Sequence, residues 1–97
     1  MALSFLIGRS NPQILADFDA DEDVLYVSLG KPTASYADEG DGGILYRFSY
    51  DGGKPSGVTI IGFLGNWRPR RAEAYDRIAQ FLNVSPKAVK TSIERHV

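Results

Sequence analysis

The stretch Ile14-Leu15-Ala16-Asp17-Phe18-Asp19-Ala20-Asp21-Glu22-Asp23-Val24-Leu25-Tyr26-Val27-Ser28-Leu29 holds two short apolar runs on either side of an acidic turn. The second run is rich in β-formers. Leu25, Val27 and Leu29 fall on one face and Val24, Tyr26 and Ser28 on the other, the period-2 pattern of a strand. The pair therefore reads as an antiparallel hairpin, and it sets the sheet as the organising element.

Two further runs extend it. Ile44-Leu45-Tyr46-Arg47-Phe48-Ser49-Tyr50 alternates a large apolar face with a mixed one, and Asp51-Gly52-Gly53 is a hairpin turn signal. Val58-Thr59-Ile60-Ile61-Gly62-Phe63-Leu64 is apolar on both faces, which suits a strand covered on both sides. Helices on one face leave the other to be covered by the N-terminal arm Leu3-Phe5-Ile7 or by a second copy of the chain. Gly30-Lys31-Pro32 ends the second run. The segment Asp38-Glu39-Gly40-Asp41-Gly42-Gly43 reads as a loop.

Beyond Gly65 the period changes from 2 to 3.6. Ala72, Tyr75, Ile78, Ala79 and Leu82 form a single helical stripe. Asn83 is placed to end that helix in the left-handed conformation. Ser85-Pro86 is an N-cap followed by proline at the first helical position, and Val89 and Ile93 point inward from a second helix. The expected fold is one α+β domain over residues 1–97. A four- or five-stranded antiparallel β-meander (sheet region 14–64) is followed by two C-terminal helices packed on one face (helical region 67–97).

Composition narrows the function. The 97 residues are 43% hydrophobic and 24% charged, ordinary for a globular domain. Cysteine is absent, which removes disulfides, thiolate metal sites and cysteine nucleophiles. The one histidine, His96, is penultimate and a poor base for a Ser–His arrangement. No Gly-x-x-x-x-Gly-Lys loop occurs. Asp19, Asp21 and Asp23 have the first spacings of a calcium loop. The glycine and closing glutamate that such a loop needs are Val24 and Gly30 here, so an acidic turn is the better reading. The expectation is a protein without catalytic residues, cofactor or metal. No apolar run is long enough for a signal peptide or a membrane span, so the expected location is cytoplasmic.

The net charge of −1 conceals two opposed halves. Residues 1–66 hold nine acids against four bases, and residues 67–97 hold seven bases against three acids. Opposed halves either attract one another within the fold or mark a binding face. The densest basic cluster is Trp67-Arg68-Pro69-Arg70-Arg71. Its cations stand at the wrong end of the expected helix for the dipole, which implies an acidic counterpart: this chain's own turns, another protein, or nucleic-acid phosphate. Trp67, Arg68, Arg70 and Arg71, with Phe63, are the candidate partner-binding residues, the partner being another protein or a second copy.

Residues 76–95 resemble the helix-turn-helix of bacterial response-regulator-type DNA-binding domains. Ala79 is the small residue on the first helix, Asn83 the turn, and Val89 with Ile93 the anchor of the second. The resemblance implies that Lys87, Lys90, Thr91 and Arg95 would face DNA. In such domains further helices complete the core.

Residues 14–64 resemble a small bacterial family, the domain of unknown function numbered 2283. The resemblance rests on Phe18-Asp19, the turn, and Asp23-Val24-Leu25-Tyr26-Val27, together with Tyr50-Asp51-Gly52-Gly53 and Gly57-Val58-Thr59-Ile60-Ile61. Ser49 and Thr59 stand where the family favours acids. The resemblance implies a small sheet-based fold with no settled activity. It also implies a partner-binding or antitoxin-like role, since members are often encoded beside small toxin-like proteins. The leading expectation is thus a non-catalytic protein-interaction module, with DNA binding through 76–95 as the alternative.

Overall fold

The computed structural model describes residues 13–97. It contains strands β1 (Ile14–Asp19), β2 (Val24–Leu29), β3 (Ser35–Glu39), β4 (Ile44–Ser49) and β5 (Pro55–Ile61), then helices α1 (Phe63–Trp67), α2 (Arg71–Leu82) and α3 (Pro86–Glu94). The class is α+β, with helices following an antiparallel sheet. The arm Leu3-Phe5-Ile7 lies outside the described residues.

The strand order is β1-β2-β5-β4-β3. Two hairpins, β1–β2 and β4–β5, meet along β2 and β5, where Leu25 pairs with Ile60 and Val27 with Val58. The order departs from a simple meander at one connection, Gly30–Ala34, which carries the chain past β5 and β4 to the far edge. There Ser35–Glu39 pairs with β4, so part of the segment expected to be loop is an edge strand. Those residues have no apolar alternation, and only pairing with β4 makes them a strand.

One face of the sheet carries the core. Leu25 and Val27 of β2, Ile44 of β4, and Val58 and Ile60 of β5 are buried against the helices. From α2 come Ala74, Tyr75, Ile78, Ala79 and Leu82, and from α3 Val89 and Ile93. The expected stripe holds except at its first member: Ala72 is exposed and Ala74 buried. Asn83 ends α2 in the left-handed region (φ 58°, ψ 50°), and the Ser85 side chain accepts hydrogen bonds from the Lys87 and Ala88 amides at the start of α3. Farther out, Phe81 of α2 closes the β4 side, its ring 4.9 Å from Tyr46 and 5.3 Å from Phe48.

The last strand ends earlier than its hydrophobicity suggests. Gly62 turns the chain with φ 74°, and Phe63 opens α1 with its side chain in the core. The apolar run 58–64 is thus a strand joined to a helix, and the alternation that assigned Phe63 to a sheet face does not apply to it. A helix of five residues has little stability of its own. It stands because Asp23 of the β1–β2 turn satisfies its first four amides. The Asp23 carbonyl accepts from Gly62 N at 2.8 Å and Phe63 N at 3.1 Å. Its carboxylate accepts from Leu64 N at 2.8 Å and Gly65 N at 2.9 Å.

Candidate functional site

The face of the sheet opposite the helices is the candidate site. Register defines its composition. One cross-strand row is Asp17, Tyr26, Thr59, Leu45, Glu39, and the next is Leu15, Ser28, Gly57, Arg47, Ala37. Three of the large apolar side chains with high exposure lie on this face: Leu15 (36%), Tyr26 (46%) and Ile61 (52%). Among the described residues nothing packs over them as the helices pack over the opposite face.

The surface is concave. A groove of about 470 Å³ runs over Leu15, Asp17, Tyr26, Gly57, Thr59 and Arg47, with Pro32 and Thr33 of the β2–β3 connection at one end. Gly57 lies in its lining between Ser28 and Arg47, and no side chain fits there: a Cβ would come within 2.5 Å of the Val27 carbonyl oxygen. The β4–β5 register shifts between Arg47 and Phe48. Such an irregularity re-aims the neighbouring side chains.

Arg47 is the notable charge. It is half-buried, and its Nε donates to Ser35 Oγ at 2.9 Å, toward the hairpin end of the face. The register places Glu39 on the other diagonal, and no ion pair forms there. Asp17 lies in the same groove, three strands away. Among the described residues neither Asp17 nor Arg47 joins an ion pair. Sequence reading did not single out Arg47, Tyr26 or Gly57. The available signal was a lone cation inside an apolar strand.

The predicted partner-binding set divides. Phe63 and Trp67 are 0% and 1% exposed, so neither offers a contact surface. Trp67 Nε1 donates to the Gly42 carbonyl at 2.8 Å, which ties the β3–β4 turn to α1. Arg70 stacks on the Trp67 ring at 4.3 Å and lies 3.9 Å from Glu73. Arg77 approaches the same ring at 5.2 Å and pairs with Glu73 at 2.8 Å. Arg71 is half-buried, 5.9 Å from the Phe63 ring, and Arg68 is exposed. Within the basic cluster, Arg70 thus finds its counterparts in an indole ring and in Glu73 of the following helix. Among the described residues no ion pair joins the acidic and basic halves.

Lys87, Lys90 and Thr91 are exposed on α3, and Arg95 is exposed just after it. The opposite side of α3 packs through Val89 and Ile93, and Ser92 Oγ donates to the Ile14 carbonyl at 3.3 Å. The acidic turn is committed to backbone. Asp19 Oδ1 accepts from Asp21 N and Glu22 N, both at 3.1 Å, while Asp23 holds α1. Tyr75, buried between α2 and α3, donates to Glu94 Oε2 at 3.0 Å. Burial first, then this bond, push its phenol above the ordinary tyrosine value. Among the described residues no helix is long and apolar enough to cross a membrane.

In comparisons with known proteins, no family model, curated protein or solved structure matches the chain.

Proposed function

We propose that the protein is a non-catalytic protein-interaction module that docks its partner on the open face of the sheet. The observation that supports this reading is the groove itself. It combines exposed apolar side chains with a tyrosine and an arginine, the residue types that dominate the energetics of interfaces. The antitoxin-like role implied by the family resemblance is one biological form of this reading. The test is site-specific photocrosslinking in cells, with a benzophenone amino acid at Tyr26 and, separately, at Lys87. A protein adduct from position 26 that is lost on Arg47→Glu, and none from position 87, is the expected result. No adduct from position 26 defeats the reading.

A second reading rests on a separate observation. Lys87 and Lys90 on α3 and Arg95 at its C-terminal end are exposed, and none of them is in an ion pair among the described residues. That leaves a cationic helix face available to phosphate. It predicts duplex-DNA binding that weakens steeply with salt and is lost in the Lys87→Ala/Lys90→Ala variant. No binding at low salt removes it.

A further inference from the structure

We infer that the occupant of the groove is a second copy of this chain, docked face to face about a twofold axis that brings Arg47 of each copy over Asp17 of the other. The inference rests on the reading of the open face as a protein-docking surface and names its partner. The groove carries one cation and one anion, Arg47 on β4 and Asp17 on β1, with β2 and β5 between them. Neither forms an ion pair among the described residues. With strands about 4.8 Å apart and residues about 3.4 Å apart along them, the two Cα atoms are roughly 16 Å apart. A twofold contact is self-complementary by construction: if one residue meets another, the reverse contact follows. An axis in the plane between two copies, perpendicular to the line from Asp17 to Arg47 and passing over its midpoint, makes both ion pairs at once.

The same operation has a consequence for shape that the charges do not dictate. In flat-sheet spacings it carries Tyr26 of one copy over the middle of the quadrilateral Gly57, Thr59, Leu45 and Arg47 of the other, roughly 4 Å from each in projection. Three of those four, Gly57, Thr59 and Arg47, line the groove. The exposed ring of Tyr26 thus lies over the partner's groove, once from each copy, beside a guanidinium that it attracts. Area sets the strength. A face about 20 Å square on each copy is smaller than the usual specific interface, so the dimer is weak and concentration-dependent. The rim opposes it mildly, because the rotation brings Glu39 near Asp19 of the other copy, where solvent screens the repulsion.

The experiment is a charge swap read by sedimentation from about 10 μM to 1 mM, well above the dissociation constants of ordinary specific interfaces. Wild type dimerises within this range. Arg47→Asp and Asp17→Arg each weaken the dimer at least about tenfold, as close interfacial charge pairs do. An equimolar mixture of the two variants associates again, as heterodimers in which both pairs are restored, and the double variant in one chain recovers the homodimer. Glu39→Gln tightens association. Circular dichroism checks that each variant is folded. If a charge swap fails to fold, the unswapped face is tested with a short bis-maleimide. Because the chain has no cysteine, a mixture of Asp17→Cys and Arg47→Cys copies is joined more readily than either alone. A wild type that stays monomeric to 1 mM overturns the inference, as does a mixture that fails to associate while both variants are folded. Position-26 crosslinks to a different protein, or to residues 1–12 of the same chain, overturn the second copy as occupant. Only the first of these leaves the docking reading standing, and absence of any adduct removes both.

Discussion

Asp23 holds Leu64 across 41 positions of sequence: its Oδ1 accepts the Leu64 amide at 2.8 Å. The same residue takes the amides of Gly62, Phe63 and Gly65. All four donors that a helix N-terminus leaves without intrahelical partners are thus satisfied by one acid from a hairpin turn. Gly62, at the cap position, has no side chain to offer. Asp23 itself sits at φ 57°, a conformation that aspartate tolerates better than most residues.

Asp23→Ala therefore loses a cap and strains the backbone, with an expected cost of about 2–3 kcal/mol. Asp23→Gly relieves the backbone and loses only the side-chain cap, for about 1 kcal/mol. Urea unfolding followed by Trp67 fluorescence orders the two. Equal costs would mean that backbone strain at this position contributes little.

Gly42 has φ 70°, and a Cβ there would sit 2.5 Å from Cζ2 of Trp67. Gly42→Ala must displace the indole and break its 2.8 Å bond to the Gly42 carbonyl. The expected loss is about 2–3 kcal/mol, from backbone strain and overpacking together. Emission of the single tryptophan should shift to the red as it becomes hydrated.

The Tyr75 phenol is held neutral by burial and by its bond to Glu94, so its pKa is raised in the fold. Above the unfolded value near pH 10 the unfolded chain releases that proton first, and stability falls as pH rises through the folded value. Absorbance titration at 295 nm should show one tyrosine of the five lagging the others, and Tyr75→Phe should remove the lagging component.

Ser85 supplies the side-chain acceptor for the start of α3. Ser85→Ala should cost about 1 kcal/mol by thermal or urea unfolding. Lys90→Ala, on the exposed side of the same helix, should change stability by under about 0.5 kcal/mol.

Much of the sheet is legible in sequence because its signals are local. Alternation in β2 and β4, the Asp51-Gly52-Gly53 turn and the Ser85-Pro86 cap depend on neighbours within a few positions, and the structure realises each. Ser35–Glu39 was not legible: its strand comes from pairing with β4, not from its own pattern. Phe63 misled for a related reason. Its apolarity suits a strand or a helix equally, and Asp23, far away in sequence, decides between them. The candidate site was harder still. Its groove depends on the pairing of β2 with β5, which brings Ser28 beside Gly57 from a distant part of the chain.

By itself the sequence determined the class: strands before helices, an antiparallel sheet with one strongly apolar face, and no cysteine chemistry. These follow from periodicity, turn residues and composition, which act over short range. Only the tertiary structure decided the strand order, the burial of Trp67 and Phe63, and the exposure of a face carrying Tyr26 and Arg47. Each of those depends on which distant segments pair and on which backbone groups still lack partners once they do. Hydrophobic pattern cannot encode that accounting, because a residue such as Asp23 reads as a solvated turn until the amides it satisfies arrive from forty positions away.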